Sequence, residues 1–394
     1  MKSLNATSKS MIAVAIAAMF AASQGWAQTT KVDVDNVNQS QAGLLNSQAM
    51  DLGNAKGKGS STNVNVKGVN QSQAGLLNKQ TMSVGSANQG KTKVTASNIN
   101  QSQAGLLNSQ ELTIGDAGKG GQSNVSVSNV TQGQAGLLNR QKMAIGNAGS
   151  GKSDVKNAGP IMQGQAGLLN NQEMNLGSVS GTGSSTVRTG TVLQGQAGLL
   201  NTQNMNVGGS SGSGKSNVTA GAILQGQAGL LQRQNMEIGA ASGKGSSNVK
   251  LGAAVQGQAG LLNNQDMKIG NASGTGKSNV VMGAAVQGQA GLLNNQQMQV
   301  GNASGSGRTN VAVGTVVQGQ AGLLQNQQAK IGNSSGGTAN VAVGAVIQGQ
   351  AGMLNNQQVN IGNSTGGGTN VAVGAVVQGQ AGMLNTQKVN IGNN

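Results

Sequence analysis

The sequence predicts an all-β protein, a repeat β-solenoid of about twelve strand–arc–strand rungs with cross-β, amyloid-like stacking. Gln-Ala-Gly recurs twelve times at steps of 30–32 residues, side chains alternate with a period of two, and the composition excludes an ordinary globular core. Residues 340–363 and 370–393 differ at only three of 24 positions. This strict interval is typical of solenoids and argues against a disordered chain.

The first 27 residues differ from the rest and are predicted to be a cleaved secretory signal peptide. Lys2 and Lys9 precede an apolar run at 11–22, and small residues precede a predicted cut after Ala27. The apolar run is shorter than the roughly 20 residues that a membrane-spanning helix needs. We therefore expect an exported mature chain, residues 28–394, in which twelve repeats of about 31 residues form one solenoid.

The predicted mature chain lacks the usual sources of stability. The only aromatic residues of the full sequence, Phe20 and Trp26, lie in the predicted signal peptide and are removed with it. The sequence also has no His and no Cys. Pairing between repeats must therefore replace a large aromatic core or disulfides. After Lys2 and Lys9 are removed, 22 basic and 9 acidic residues give a net charge of +13. Such a chain tends to associate with anionic polymers or surfaces.

Each repeat is predicted to form a strand, an arc, a second strand and a loop. Ala-Gly-Leu-Leu or Ala-Gly-Met-Leu forms the arc, because its glycine permits a positive φ, and a turn such as 301–309 closes the repeat. The second strand alternates over 295–300, and the glycine content disfavours a helix. In the repeat that starts near residue 310, one face of the first strand is predicted to be apolar: Val311, Val313, Thr315, Val317, Gly319, Ala321 and Leu323.

Pro160 interrupts this pattern in the fifth repeat. It falls in the middle of the first strand, where Thr315 stands in its own repeat. Proline has no N–H to donate to a ladder, so we expect a local bulge or weak point there.

Amide side chains recur at fixed positions, and we expect identical amides to hydrogen-bond along the stack rather than to lie on a solvated surface. Stacking also pairs each backbone with a neighbour on both sides, which one isolated repeat lacks. The predicted ladder residues are Gln41, Gln73, Gln103, Gln134, Gln165, Gln196, Gln227, Gln258, Gln289, Gln320, Gln350, Gln380, Asn294, Asn355 and Asn385.

No capping repeat is visible in the sequence. The first repeat begins near Lys31 and the last one ends at Asn394. Solenoids usually carry atypical terminal repeats, because an open end exposes unpaired strand edges. We therefore expect a second copy of the chain to supply the next rung, and end-to-end addition without closure gives a filament.

The repeat resembles the Q-x-G-x-x-N core of curli repeats, for example at Gln41/Gly43/Asn46, Gln289/Gly291/Asn294 and Gln380/Gly382/Asn385. The Asn-Val-Ala-Val-Gly segments are similar to repeats of the Fap fibres of pseudomonads. Both are secreted bacterial amyloid subunits of biofilm matrix. The resemblance implies solenoid-like rungs, an outer-membrane export channel, a nucleator subunit and a cell-surface fibre of a Gram-negative bacterium. The present repeat is longer than that of curli, and its mature chain has no aromatic residue.

Catalysis and cofactor binding are not expected. The chain has no His and no Cys, and its nine carboxylates form no repeated pair for acid–base chemistry. Calcium-binding repeats would place an aspartate in each turn, whereas these turns carry Gly, Ser and Lys. No metal site and no cofactor are predicted.

Basic residues recur in the loops and are predicted to line one edge of the stack. They form either a solubilising, edge-protecting fringe or a stripe that binds extracellular DNA or acidic polysaccharide through nonspecific contacts. Without aromatic residues, base stacking and sequence-specific nucleic-acid binding are not expected. The candidate edge residues are Lys58, Lys119, Lys152, Lys215, Lys244, Lys277 and Arg308.

The first functional hypothesis is thus a self-assembling structural subunit of extracellular fibres for biofilm matrix and surface adhesion. The alternatives are a monomeric β-solenoid that binds a surface such as polysaccharide, DNA or ice, and a disordered cell-surface spacer. Ice binding ranks low, because threonine holds no single strand position through the repeats.

Overall fold

The computed structural model describes residues 29–45 and 47–392, so the predicted signal peptide at 1–27 lies outside the described residues. The described chain is a parallel β-solenoid of twelve turns without a helix. Each strand pairs in parallel with the equivalent strand of the next repeat, as Val280 pairs with Val311 and Val311 with Val341. The predicted fold class is confirmed. Each turn is called a rung, and rung 10 comprises residues 308–337.

Rungs 1 to 4 contain long strands that continue through the arc. Their strands are β1 (Thr29–Leu45), β2 (Gln48–Leu52), β3 (Ser61–Val84), β4 (Ala87–Asn88), β5 (Lys91–Ile114), β6 (Ala117–Gly118) and β7 (Gln122–Ile145).

From rung 5 onwards the arc separates two strands in each rung. These strands are β8 (Lys152–Asn157), β9 (Ile161–Ala166), β10 (Leu169–Leu176), β11 (Ser184–Ala197), β12 (Leu200–Val207), β13 (Lys215–Ala228), β14 (Leu231–Ile238), β15 (Ser246–Ala259), β16 (Leu262–Ile269), β17 (Lys277–Ala290), β18 (Leu293–Val300), β19 (Ala303–Ser304), β20 (Arg308–Ala321), β21 (Leu324–Ile331), β22 (Ser334–Ser335), β23 (Thr338–Ala351), β24 (Leu354–Ile361), β25 (Ser364–Thr365), β26 (Gly368–Ala381) and β27 (Asn385–Ile391).

The inward face changes phase within the first strand of each rung. In β20, Val311 and Val313 are buried, but the next buried residues are Val316, Gln318 and Gln320. Neither residue 314 nor residue 315 is buried, and residue 314 is left out of the strand pairing with the rung below. The chain therefore turns a corner there. The single apolar face predicted from 311 to 323 is wrong, because its second half points outwards.

A rung consequently has three sides rather than two. In rung 10, side A comprises 308–313, side B comprises 316–321 and side C comprises 324–331. A short segment at 334–335 leads back to the next rung. Gly332, between side C and this segment, has φ of 62°, a left-handed conformation that favours glycine.

The arc glycine between sides B and C is required by close approach of two rungs. A Cβ on Gly322 would overlap the carbonyl oxygen of Gly291 in the rung below, and the same overlap recurs in the other described arcs from rung 3 onwards. The two leucines that follow, Leu323 and Leu324, remain 43% and 42% exposed. The predicted arc is therefore present, but its leucines are not part of the core.

Rung 5 carries the irregularity predicted from Pro160. The strand is interrupted between β8 and β9, where residues 158–160 stand opposite only 190–191 of rung 6. One extra residue on one strand is a bulge. The prediction of a local bulge in the fifth rung is confirmed.

The interior consists of columns, each with one residue from every rung, and each column is named here after its member in rung 10. The Val311, Val313, Val316, Ala329 and Ile331 columns form the apolar core, except that the Val313 column holds Asn157 and Thr189 in rungs 5 and 6, where the asparagine donates to the threonine hydroxyl. The Ala329 column contains mainly methionine, which adapts to irregular space without aromatic neighbours. The apolar core is therefore narrow and continues along the length of the stack.

Candidate functional site

Three columns of glutamine run through all twelve rungs without interruption, and they are the Gln318, Gln320 and Gln327 columns. In each column the Nε2 of one glutamine donates to the Oε1 of the glutamine one rung earlier. Within the central rungs these N–O distances are 2.8 Å for Gln318 to Gln287, 2.8 Å for Gln320 to Gln289 and 2.9 Å for Gln327 to Gln296. The stacked amide ladders expected from the sequence are therefore present.

The phase change at the corner explains why these amides point inwards. Side B begins its inward alternation at Val316, so Gln318 and Gln320 follow on the interior face, where they are 1% and 5% exposed. Gln327 on side C is fully buried. A buried amide without a partner costs about 1–3 kcal/mol, and a ladder removes this cost because each amide both donates and accepts. The ladders thereby favour equal register between rungs.

All three ladders have the same polarity. In rung 2, Gln71 and Gln80 donate to Gln39 and Gln48 of rung 1, and in rung 12, Gln378 donates back to rung 11. Among the described residues, the first rung therefore ends each ladder with an Nε2 group. The last rung ends each ladder with an Oε1 atom. The two ends carry complementary halves of one hydrogen bond.

The asparagine column at position 325 is less regular than the glutamine columns. Asn294 accepts from Asn263 over 2.9 Å, and Asn355 donates to Asn385 over 2.8 Å, so the three predicted asparagines lie in one column. Gln232 and Gln325 replace asparagine in this column and donate to backbone carbonyls instead. The side-chain ladder is therefore broken at these two rungs, and it is also interrupted at Asn78, which donates to the carbonyl of Ala104 instead of to Asn108.

A second asparagine column was not predicted. Asn333 follows the left-handed glycine, and its Oδ1 accepts the backbone N–H one rung later, as Asn302 accepts from Asn333 over 3.0 Å. The same bond is made by Asn54, Asn147 and Asn271, whereas rungs 2, 5, 6 and 7 carry serine, glycine or alanine at this position. The recurrent Ile-Gly-Asn in the sequence was the available signal. Thr309 of side A likewise donates to the carbonyl of Gly301 over 2.8 Å. These bonds satisfy backbone groups at the corner between sides C and A.

Asp116 occupies the Asn333 column in rung 3, and its Oδ1 accepts the N–H of Asn147 over 2.9 Å. The pKa of Asp116 is raised to about 7, mainly by burial and slightly by the nearby Glu111, although the Asn147 N–H and Lys142 lower it. Because the folded-state pKa lies above the unfolded value, the contribution of Asp116 to folding stability is highest below about pH 4. It falls as the pH rises towards 7 and stays low above that.

The last described rung exposes side chains that belong to the core elsewhere. Val389 and Ile391 are 44% and 64% exposed, whereas Met298 and Val300 in the same columns are fully buried. The strands of this rung, β26 and β27, pair only with β23 and β24 among the described residues. At the other end, β1 pairs only with β3. Each terminal rung of the described stack therefore has one open edge.

The candidate cationic edge is only partly aligned. Lys152, Lys215, Lys277 and Arg308 occupy one column at the start of side A, and Lys91, which was not predicted, shares it. Lys58, Lys119 and Lys244 lie two or three residues before this position and belong to the loop. All eight side chains are exposed, and none belongs to the three ion pairs among the described residues.

The described part of the chain offers no group of three or more His, Cys, Asp and Glu residues that could hold a metal ion. In the same residues there is no helix of the length and apolarity needed to cross a membrane.

These features define the class of protein: a parallel β-solenoid with stacked glutamine and asparagine ladders, consistent with an amyloid-like structural protein. Comparison with family models, with curated proteins and with solved structures finds no match to this chain.

Proposed function

We propose that this protein is a secreted structural subunit that assembles end to end into extracellular amyloid-like fibres for biofilm matrix and surface adhesion. The observation that carries the proposal is the continuity of the three glutamine ladders up to both open edges. The first rung presents Nε2 donors and the last rung presents Oε1 acceptors in matching columns. One copy can therefore continue the columns of another copy in the same direction.

The exposed core at the last rung supplies an apolar driving force for this addition. A further rung would cover Val389 and Ile391, as the columns are covered inside the stack. Because Val389 and Ile391 are 44% and 64% exposed, their burial by a further rung contributes about half of the value for two fully exposed side chains, or about 1.5–3 kcal/mol. It would also pair the open backbone edge, which is the usual route of strand addition. A head-to-tail contact of this kind does not close on itself, so it produces a filament.

The resemblance of the repeat core to curli and Fap subunits supports the same assignment. It adds three proposals: an outer-membrane export channel, a separate nucleator subunit and a location on the surface of a Gram-negative bacterium. The proposed principal partner is the protein itself, as a homopolymer. We also propose that the protein has no enzymatic activity and is not membrane-spanning.

The assembly test uses a charge placed on the open edge. Val389→Lys puts an ammonium group into a column that is buried inside the stack, but at the free end this group stays in water. Thr386→Lys adds the same charge to the same rung at an exposed position. The exported protein should form seeded, concentration-dependent filaments. Val389→Lys should slow elongation at least tenfold, and Thr386→Lys should leave it nearly unchanged.

The two alternatives give different results. A persistent folded monomer at micromolar concentration, for all three proteins, would favour a monomeric surface-binding solenoid. A coil-like circular dichroism spectrum would favour a disordered spacer, which already disagrees with the solenoid fold. Equal elongation rates for the two lysine variants would contradict growth at the last rung.

The aligned cations favour a second, weaker function, binding of extracellular DNA or acidic polysaccharide. Lys152, Lys215 and Lys277 recur at every second rung, a spacing of about 10 Å, and Arg308 follows on the next rung. Lys152→Gln, Lys215→Gln and Lys277→Gln together should weaken binding of double-stranded DNA and reduce its salt dependence. Lys58→Gln, Lys119→Gln and Lys244→Gln remove the same charge outside the column, and an equal effect would exclude a special role for the column.

A further inference from the structure

The outward face of side B changes character along the stack. Its central column, the Val317 column, contains asparagine in rungs 1 to 3 but large apolar residues from rung 5 onwards. The Gly319 column contains serine in rungs 1 to 3 and only glycine from rung 4, while the Ala321 column is alanine throughout. The dry face is defined here as the outward columns from 315 to 323 in rungs 6 to 12. In these columns the sequence has no charged residue.

The glycines of the dry face are not required by the solenoid itself. A Cβ added at Gly226, Gly257, Gly288, Gly319 or Gly349 meets nothing within 4 Å. Serine occupies the same column in rungs 1 to 3. Glycine inside a strand is unfavourable by about 0.5–1 kcal/mol relative to alanine, so its repeated use needs another cause. A common cause is the close approach of a second backbone.

The dry face has a regular ridge and a regular trough, and the ridge of one copy fits the trough of a second copy. A ridge, the Val317 column, stands beside a trough formed by the Gly319 and Ala321 columns, and Leu323 borders the trough on its other side. A two-fold axis parallel to the stack, above the Gly319 column, brings the Val317 column of one copy opposite the Ala321 column of the other. The glycine columns then face each other, and Leu323 stands opposite the small residues of the 315 column. Every large column therefore meets a small one.

A second copy of this chain fits the dry face better than other occupants do. Only a partner with the same rung spacing can place one side chain into the trough at every rung. Seven rungs at about 4.8 Å and the width of about 20 Å of side B give roughly 700 Å² per copy. Two copies together bury about 1,400 Å², which lies within the size range of stable interfaces. Burial of the dry face leaves no charge unpaired, because these columns contain no charged residue. It also leaves no backbone group unsatisfied, because the strands of neighbouring rungs already pair their backbone groups.

We propose that two solenoids pair laterally through the dry face, side by side and with both long axes in the same direction. This pairing goes beyond end-to-end growth and does not depend on it. The polar outward columns of rungs 1 to 3 stay solvated, and they leave the first rungs of each copy outside the lateral contact.

The test compares charges on two faces of the same rungs. Val255→Lys with Val317→Lys places two ammonium groups on the ridge, two rungs apart, so that they do not stack directly. Asn264→Lys with Asn326→Lys places the same charges on the exposed face of side C, in a column that already holds Lys79, Arg140 and Arg233. A third variant, Gly257→Val with Gly319→Val, fills the trough without adding charge.

Two quantities are measured for residues 28–394 of each variant. They are the mass per unit length of the filaments and, by sedimentation velocity, the size of the protein that remains in solution. The parent and the side C variant should have about twice the mass per length of the ridge and trough variants. If none of these proteins forms filaments, end-to-end growth is wrong. Lateral pairing then still predicts that the soluble parent sediments as a dimer and that the ridge and trough variants sediment as monomers. Equal mass per length in all filaments, or a monomeric soluble parent without filaments, would overturn lateral pairing. If the parent filaments have the mass per length of a single solenoid and the parent protein binds lipid vesicles, the dry face would be assigned to a lipid surface. This result would also overturn lateral pairing.

Discussion

A single buried glutamine provides the sharpest test of the ladders. Gln296 is fully buried, its Nε2 donates to Gln265 over 2.9 Å, and its Oε1 accepts from Gln327 over 2.9 Å. Gln296→Met keeps a similar side-chain size but removes donor and acceptor. The Oε1 of Gln265 then loses its donor, and the Nε2 of Gln327 keeps only its 3.4 Å bond to the carbonyl of Gly349. The free energy of local opening should fall by about 2–4 kcal/mol.

Hydrogen exchange measures this local opening rung by rung, which suits a stack whose rungs interact mainly with their neighbours. A loss of 2–4 kcal/mol corresponds to exchange about 30-fold to 700-fold faster in side C of rungs 8 to 10. Gln297→Met is the matched control, because Gln297 is adjacent and points outwards, with a 3.2 Å bond to Gln328 that water can replace. Equal acceleration by the two substitutions would refute the argument that the inward amides hold the rungs together.

Three further predictions concern the backbone and one carboxylate. Gly291→Ala should lower the free energy of local opening of rungs 8 and 9, measured by hydrogen exchange, by more than about 3 kcal/mol, because the Cβ overlaps a carbonyl of the rung below. Gly288→Ala, whose Cβ meets nothing within 4 Å, should leave this free energy unchanged or raise it by up to about 1 kcal/mol. Asp116→Asn should raise stability above pH 7 by up to about 4 kcal/mol and remove the decline between about pH 4 and pH 7; a pH profile unchanged by the substitution would contradict the raised pKa. Replacing residues 158–160 by Gly-Thr should remove the bulge and slow exchange in rung 5; faster exchange would show that the bulge is favourable.

The sequence alone was sufficient for the repeat, the strands, the bulge at Pro160 and the existence of the glutamine ladders. Each follows from local or periodic information: an interval of about 31 residues, alternation, a missing N–H and identical amides at equal positions. Amides that recur at every rung must lie beside each other once successive repeats are in register, whichever way the strand faces.

The phase of side B required the tertiary structure. Alternation has two equivalent phases, and the corner after Val313 selects the one that places Val316, Gln318 and Gln320 inside. Rungs 1 to 3 carry a readable signal of this change, because asparagine and serine occupy their outward positions, as in Asn70. In rungs 6 to 12 that signal is lost, since residues such as Val317 are apolar yet point outwards.

The sequence by itself determined that equivalent residues stack, because a constant repeat length fixes the register of neighbouring rungs. Only the tertiary structure decided which residues are inside, because closing each turn around a narrow core fixes where the chain must bend. The same closure decided that Lys91 joins the cationic column while Lys244 does not, and that leucines of the arc stay partly in water.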